Sequence, residues 1–339
     1  MRQHHRKLDF GIRLLGTLGD ANIHQRLGVI AEKSGFDGCW FAHDPFQRSS
    51  WISAVAVACA TRRIRIGYNV KPYTIDPSEV ATFATGLDEI SKGRAILGLG
   101  SHTETMYDWL GLNKKNLDLA NLTRESIELI RGLLREETMK FDGSVFHWSE
   151  ECYLRFKPLR KEIPIYIPGI GKKMFELSGM IADGSLPMAT PPESIDYPIK
   201  YIMEGARKAR RNPSEIDYVG LIWIYVDKSG RVDKKALKKV IAYFLPYLED
   251  AMIKRVGITQ QDVEPIRRAL SKRNYELAVQ CVSDDMLDLA VYGTPDQCIE
   301  RIDSMRKKGA TTVSIGGPLG QDPEEAIKLI GREIIPHFK

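Results

Sequence analysis

The pattern most informative about the fold class lies in one segment, Ile163-Pro-Ile-Tyr-Ile-Pro-Gly-Ile-Gly-Lys-Lys-Met-Phe-Glu-Leu-Ser-Gly-Met-Ile-Ala-Asp-Gly184. It opens with an apolar run typical of a strand, Ile163–Ile167, and then passes through a glycine turn. Apolar residues recur at helical spacing over Lys173–Ala182, and a second strand-like run, Gly184–Met188, follows at once. This order predicts two parallel strands joined by a helix.

The same alternation extends along the whole chain. Eight segments have strand character: Phe10–Leu15, Gly38–Ala42, Ile64–Val70, Ala95–Gly98, Ile163–Ile167, Gly184–Met188, Tyr218–Val226 and Thr312–Ile315. The helical segments include Ala21–Lys33, Pro77–Ser91, Thr123–Arg135, Lys173–Ala182, Ile199–Ala209, Lys234–Met252, Pro295–Lys307 and Pro323–Ile334. Eight strands is the number in a (β/α)8 barrel, so we predict an α/β fold of the TIM-barrel type with insertions.

Helix ends and irregular segments refine this prediction. Thr294 and Asp322 each precede a proline and an acidic first turn, which is typical of a helix N-cap. Glycines at 35, 93 and 309 each follow a polar helix end, where a left-handed residue is expected. Residues 141–159 are predicted to form a hairpin excursion, and residues 255–289 a helical insertion that covers the barrel mouth or contacts another subunit. With no Ser/Gly-rich linker, we expect residues 1–339 to form a single domain.

Composition narrows the classes of function. The chain has 339 residues, of which 43% are hydrophobic and 27% charged, which excludes a disordered chain and a small disulfide scaffold. A net charge of +5 suits a small anionic ligand better than a nucleic acid. Five scattered cysteines without a C-x-x-C pair give no zinc site, and we expect a cytoplasmic protein with no metal. No segment has the roughly 18 apolar residues that a membrane span needs.

In a (β/α)8 barrel the functional residues lie at the carboxyl ends of the strands. His43 and Asp44 follow the second strand and could act together, although a solvated histidine and a capping aspartate are the alternative. The fourth strand leads into a Gly-x-Gly run that would let a flat ring approach the backbone, although an ordinary turn would give the same pattern. Four polar residues follow that run: Ser101, His102, Thr103 and Glu104.

The fifth strand leads through a glycine turn directly into a helix. Backbone amides at a helix N-terminus, together with Lys172 and Lys173, would form a phosphate site, although a plain turn is the alternative. The spacing matches neither a Walker loop nor a dinucleotide-binding fingerprint. The candidate phosphate-binding residues are Gly169, Ile170, Gly171, Lys172, Lys173 and Met174.

Four segments resemble the bacterial-luciferase-like family of flavin and deazaflavin oxidoreductases. They are Lys161–Gly184, Gly35-Phe-Asp-Gly-Cys-Trp-Phe41, Ser91-Lys-Gly-Arg-Ala-Ile-Leu-Gly-Leu-Gly100 and Gly293-Thr-Pro-Asp-Gln-Cys-Ile-Glu-Arg-Ile302. The C-terminal part, from Val282 to Pro323, is most similar to the methylenetetrahydromethanopterin reductases, which use coenzyme F420. The resemblance extends over nearly the whole chain.

The resemblance implies a deazaflavin at the barrel mouth, whose C5 carries a hydride to or from a small organic or pterin-like substrate. It implies a non-prolyl cis peptide between Asn69 and Val70 behind the ring. It also places Ser101, His102 and Thr103 near the ring and its side chain, and assigns the phosphate to Gly169–Met174. Family members are mostly homodimers or homotetramers, so we expect an oligomer whose partner molecule is a small substrate.

The chain departs from the reductases at several positions. Arg13 stands where they have Glu, and Thr103 where they have Asp, while His43-Asp44 reverses the family's Asp-His order. The expected catalytic residues are therefore His43, Asp44 and Glu104. Arg13 indicates an anionic substrate or a contact with the coenzyme's acidic tail. An FMN-dependent two-component monooxygenase and a non-catalytic cofactor-binding barrel are the alternatives.

Overall fold

The computed structural model describes residues 7–44, 46–100, 110–111 and 118–339. Within these ranges the chain forms eleven strands. They are β1 Asp9–Arg13, β2 Gly38–Ala42, β3 Arg65–Val70, β4 Ala95–Leu99, β5 Met139–Asp142, β6 His147–Cys152, β7 Ile165–Gly169, β8 Gly184–Pro187, β9 Asp217–Val226, β10 Val291–Gly293 and β11 Thr312–Leu319.

Eight of these strands close into a parallel barrel. Its order is β1, β2, β3, β4, β7, β8, β9 and β11, and β11 pairs with β1 to complete the ring. Strands β8 and β9 pair only at their amino ends, where Gly184 lies opposite Asp217 and Ser185 opposite Tyr218. The short strand β10 pairs instead with the carboxyl half of β9. The prediction of a (β/α)8 TIM barrel is confirmed.

The helices alternate with the barrel strands. Their bounds are α1 Ala21–Lys33, α2 Ser50–Ala60, α3 Pro77–Ser91, α4 Leu119–Leu134, α5 Lys172–Ile181, α6 Asp196–Lys208, α7 Lys234–Phe244, α8 Asp250–Ile253, α9 Gln260–Ser271, α10 Tyr275–Gln280, α11 Pro295–Lys307 and α12 Pro323–Leu329. Thr294 and Asp322 cap α11 and α12, as predicted. The three glycines at 35, 93 and 309 have positive φ angles, as predicted. Within the described ranges, no helix has both the length and the apolar character needed to cross a membrane.

Two segments lie outside the regular alternation. Strands β5 and β6 form an antiparallel hairpin that begins at Met139 and ends at Cys152, so it starts earlier and ends earlier than the predicted 141–159. In the predicted insertion, α10 packs against α7 and α9 packs against α10, and the three helices share a hydrophobic cluster that includes Leu237, Ile266 and Ala278. The single-domain organisation stays a prediction.

Buried residues form two hydrophobic clusters, one on each face of the barrel strands. The outer cluster packs strand residues such as Phe10 and Ile66 against the surrounding helices. The inner cluster contains Trp40 and Tyr166, whose ring centroids lie 5.3 Å apart inside the barrel. A Cβ on Gly67 would lie only 2.1 Å from the Trp40 ring, so this glycine gives the indole its space. These rings fill the barrel below its carboxyl end and form the base of the site described next.

Candidate active site

A cavity of about 620 Å³ lies at the carboxyl ends of the barrel strands, which is where (β/α)8 enzymes place their active sites. It is bounded by residues that follow or end β1, β2, β3, β4, β7, β8 and β11. Helix α7 contributes the opposite side through Lys235, Lys239, Tyr243 and Phe244. Helix α7 follows β9 and packs against α10, so the segment between β9 and β10 reaches the mouth through α7.

One wall of the cavity is built from backbone. A Cβ on Gly98 would lie 1.8 Å from Asn69 Oδ1, and a Cβ on Gly100 would lie 1.8 Å from the Pro168 carbonyl oxygen. Only glycine fits at these two positions, because a side chain at the end of β4 would overlap the Asn69 side chain or the Pro168 carbonyl group. Asn69 Oδ1 is buried in this wall without a hydrogen-bond partner. A buried acceptor of this kind costs free energy unless a ligand or water donates to it.

Three charged side chains meet beside this wall. Lys71, whose side chain is only 7% exposed, pairs with the Asp44 carboxylate and donates to the His43 carbonyl oxygen. Burial lowers the pKa of Lys71 to about 8, although Asp44 opposes this change. Burial also lowers the pKa of the Arg13 guanidinium, again against the effect of Asp44. One described carboxylate therefore serves two cations, and Arg13 Nε is buried without a hydrogen-bond partner.

The dipeptide at the end of β2 divides between two environments. Asp44 lines the cavity, whereas the His43 ring packs beside Trp51 and Tyr68, with centroids at 6.1 and 6.4 Å. Burial lowers the pKa of His43, and the positive charge of Lys71 lowers it further, which favours the neutral imidazole. Adjacent strand residues point to opposite faces, which explains the division. The position of His43 therefore gives its predicted catalytic role no support, whereas Asp44 faces the cavity.

The predicted cis bond between Asn69 and Val70 is wrong in this structure. Gly317-Pro318 is the cis peptide found in the described ranges, and the Asn69-Val70 bond is trans. Both residues keep regular pairing with β4, where Asn69 lies opposite Gly98 and Val70 opposite Leu99. The ladder continues to the end of β3 without a bulge, so no backbone reversal is needed there. Both residues nevertheless line the cavity, as predicted for cofactor-binding positions.

The predicted phosphate turn lies at the start of α5. Gly169 and Ile170 line the cavity, and Gly171 is the N-cap of α5 with a φ of 96°. The first helical hydrogen bond of α5 runs from the Phe175 N–H to the Gly171 carbonyl oxygen. The backbone amides before Phe175 therefore lie outside the hydrogen-bond pattern of the helix. An acid lies nearby, because a Cβ on Gly171 would be 3.0 Å from Glu249 Oε1.

The lysine side chains of this turn do not face the cavity. Lys173 Nζ pairs with Asp118 at 2.8 Å, and Lys172 Nζ lies 5.2 Å from the centroid of the Tyr201 ring. Met174 is buried in the outer hydrophobic cluster. The backbone of the turn therefore remains available for an anion, whereas the two lysines supply only a more distant positive charge.

The other predicted site residues, Ser101, His102, Thr103 and Glu104, lie outside the described residues. Sequence reasoning missed Lys71 and the lysines of α7. A basic residue directly after β3 was the available signal for Lys71. Its pairing with Asp44 depends on two strands meeting, which no local pattern contains. Among the residues that the structure describes, no three His, Cys, Asp or Glu side chains form a group that could hold a metal ion.

Comparisons with known proteins match this geometry. The family model for luciferase-like monooxygenases matches residues 10–312. The 5,10-methylenetetrahydromethanopterin reductase of Methanolobus tindarius is 35% identical over 309 residues, which cover 90% of this chain and 93% of the relative. The enzyme of the same name from Archaeoglobus fulgidus is 34% identical, over 91% of this chain and 94% of the relative.

A solved structure agrees with both relatives. The coenzyme F420-dependent tetrahydromethanopterin reductase from Methanopyrus kandleri superposes with a TM-score of 0.90 at 30% identity, covering 98% of this chain and all of that chain. The predicted resemblance is thus confirmed in both sequence and fold. On the strength of the matching family model and of relatives above 30% identity over nine tenths of the chain, this protein belongs to the luciferase-like monooxygenase family.

Proposed function

We propose that this protein is a coenzyme F420-dependent oxidoreductase, which transfers a hydride between the deazaflavin C5 and a small organic or pterin-like substrate. The chain-long similarity to reductases named for methylenetetrahydromethanopterin carries this proposal, since the identity of 30–35% extends over at least 90% of the chain. The cavity supports it, because it lies at the carboxyl end of the barrel and Gly100 contributes backbone without a side chain to its lining.

The residues of the cavity fit a deazaflavin. Gly100 lines the cavity without a side chain, so backbone at the end of β4 would face a planar ring bound there. The orphaned Asn69 Oδ1 can accept a hydrogen bond from a ring N–H group. The amides at the start of α5 can hold a phosphate, with Gly169 and Ile170 leading the backbone along the cavity.

When bound, F420 supplies the carbon that accepts or gives the hydride, and the protein supplies position and electrostatics. Asp44 holds Lys71 in the cavity mouth through their ion pair. Lys71 Nζ can deliver a proton at neutral pH, because burial brings its pKa to about 8. Helix α7 lies across the mouth and keeps water from the reacting atoms.

Fluorescence titration of the purified protein with F420, and in parallel with FMN, tests the proposal. We expect saturable F420 binding and much weaker FMN binding. Gly98→Ala should abolish F420 binding, because the added methyl group collides with Asn69 in the wall. Gly86→Ala on α3 is the matched control, since nothing lies within 4 Å of a Cβ at that position. Preference for FMN would instead support a flavin monooxygenase, and binding of neither cofactor would support a non-catalytic barrel.

The roles of His43 and Glu104 as proton carriers stay predictions. His43→Ala should lower turnover more than F420 affinity if the imidazole carries a proton. Equal losses of turnover and affinity would make His43 a binding residue. A homodimer or homotetramer, a small-molecule rather than nucleic-acid partner and a cytoplasmic location also belong to the proposal. Light scattering of the purified protein measures the first of these.

A further inference from the structure

The described residues that line the cavity carry more positive than negative charge. Five of its described lining residues are cationic, namely Arg13, Arg48, Lys71, Lys235 and Lys239, whereas only Asp44 and Asp233 are acidic. The cations at positions 48, 235 and 239 are exposed, so solvent screens them. Arg13 and Lys71 are the exceptions, since both extend into the desolvated base of the mouth.

Desolvated cations are costly unless an anion compensates them. Within the described residues, Asp44 is the carboxylate beside Arg13 and Lys71, and it forms an ion pair with Lys71. Arg13 Nε keeps an unused donor that is shielded from water. Among the described residues, the local balance is therefore one positive charge in excess, and Arg13 Nε is a donor without an acceptor.

From this arrangement we infer that the substrate is a small monocarboxylate, whose carboxylate group docks on Arg13 and is flanked by Lys71. The inference rests on the proposed function and adds the class of substrate to it. A carboxylate matches the planar fork of a guanidinium and can use Nε together with a terminal nitrogen. Its single charge matches the excess at the base of the mouth, whereas a phosphate dianion would exceed it. Asp44 keeps Lys71 at the anion's side.

The position of Arg13 fits a substrate better than the coenzyme's phosphate. Arg13 ends β1, which lies on the opposite side of the ring of strands from β7, the strand that leads into the phosphate turn. Strands β2, β3 and β4 separate β1 from β7 in the barrel, and the glycine wall belongs to β4. A ring on that wall would therefore separate the phosphate turn from Arg13.

Calorimetric titration of the F420-saturated protein tests this inference. The probes are acetate, propionate and benzoate, each compared with its neutral amide. We expect at least one acid to bind roughly tenfold tighter than its amide, because a neutral ligand leaves the guanidinium uncompensated. Arg13→Met should remove this preference, and Arg13→Lys should keep part of it. Arg48→Met should retain the preference, since Arg48 is an exposed rim residue that donates to the Gly16 carbonyl oxygen.

Two results would overturn the inference. One is equal affinity of the wild-type protein for each acid and its amide. The other is a fall in F420 affinity for Arg13→Met with an unchanged acid preference, which would assign Arg13 to the coenzyme. Thermal unfolding of each variant shows whether it is folded before titration. If F420 itself does not bind, the proposed function fails, and the same titration of the cofactor-free protein then tests the carboxylate site separately.

Discussion

Two arginines inside the same barrel show how differently its ends are built. Arg65 lies at the amino end of β3, where burial lowers its pKa but Tyr166 and the carboxylates of Asp9, Asp217 and Asp37 raise it, so that the net change is upward. Arg13 lies at the carboxyl end of β1, where burial prevails over one carboxylate and the pKa falls. Several groups compensate the first cation, whereas among the described residues Asp44 alone raises the pKa of the second.

The hydrogen bonds confirm this difference. At the amino end, Arg65 Nη2 lies 2.6 Å from Asp9, and Asp217 accepts from the hydroxyl groups of Tyr166 and Thr312 at 2.8 Å. At the carboxyl end, Arg13 Nε and Asn69 Oδ1 are both buried without partners. Satisfied polar networks stabilise a fold, whereas unsatisfied groups cost stability and are typical of functional sites. From the contrast between these two arginines we expect the amino end to contribute mainly to stability and the carboxyl end to ligand binding.

The largest expected effect comes from breaking the amino-end network. Asp217→Ala would leave the hydroxyl groups of Tyr166, Thr311 and Thr312 without their acceptor. We expect the free energy of unfolding to fall by about 3 kcal/mol. Urea unfolding measures this, and F420 affinity of the folded variant should not change. A loss below about 0.5 kcal/mol would contradict the division between the two ends.

Lys71 gives the next largest effect through its pH dependence. In the folded protein the pKa of Lys71 is about 8, below the ordinary value of 10.5. Between these two pH values the unfolded chain keeps a proton on Lys71 that the folded chain has released. Unfolding free energy therefore rises with pH in this window, by about 2 kcal/mol between pH 8 and pH 9.5. Lys71→Met lacks this rise. Urea unfolding of both proteins at these pH values tests it, and parallel curves would place Lys71 in contact with solvent.

Arg13→Met should change the free energy of unfolding less than Asp217→Ala does, and in the opposite direction. Replacing an undercompensated buried cation by an apolar side chain of similar length removes a desolvation cost, so we expect about 1 kcal/mol of added stability in the ligand-free protein. The melting temperature in the absence of ligand measures this change. Marked destabilisation would show that Arg13 is a structural cation like Arg65.

The smallest effect concerns the phosphate turn. Lys172→Glu and Lys173→Glu should weaken F420 binding by only about threefold each, because these side chains are 60% and 71% exposed and pair with acids outside the cavity. Fluorescence titration at low salt measures the change. A loss of more than about thirtyfold would mean that one lysine turns into the site on binding.

Most of the fold could be predicted from the sequence because the patterns that indicate each strand and helix lie within short segments. Each barrel strand is a short apolar run, and the caps at Thr294 and Asp322 use side chains adjacent to the helices they begin. Helical spacing does not predict helix α2. Its sequence, Ser-Trp-Ile-Ser-Ala-Val-Ala-Val-Ala-Cys-Ala, lacks the polar face that is typical of an amphipathic helix.

The site was less predictable because its chemistry is not local. Lys71 and Asp44 are 27 residues apart in sequence and meet only because β2 and β3 pair. The orientation of His43 away from the cavity likewise depends on the aromatic side chains of α2 and β3. The resemblance to the reductases predicted a site at the barrel mouth, and the cavity lies there. The partners of each charge required the three-dimensional arrangement.

The two hydrophobic clusters have a further consequence for how the molecule unfolds. Trp223 of β9 stacks on Phe244 of α7 at 5.5 Å, and residues of the barrel interior share one cluster with α7, α9 and α10. The outer faces of the same strands belong to the other cluster, with the surrounding helices. We therefore expect the helices over the mouth and the barrel interior to lose their packing together when the protein opens locally.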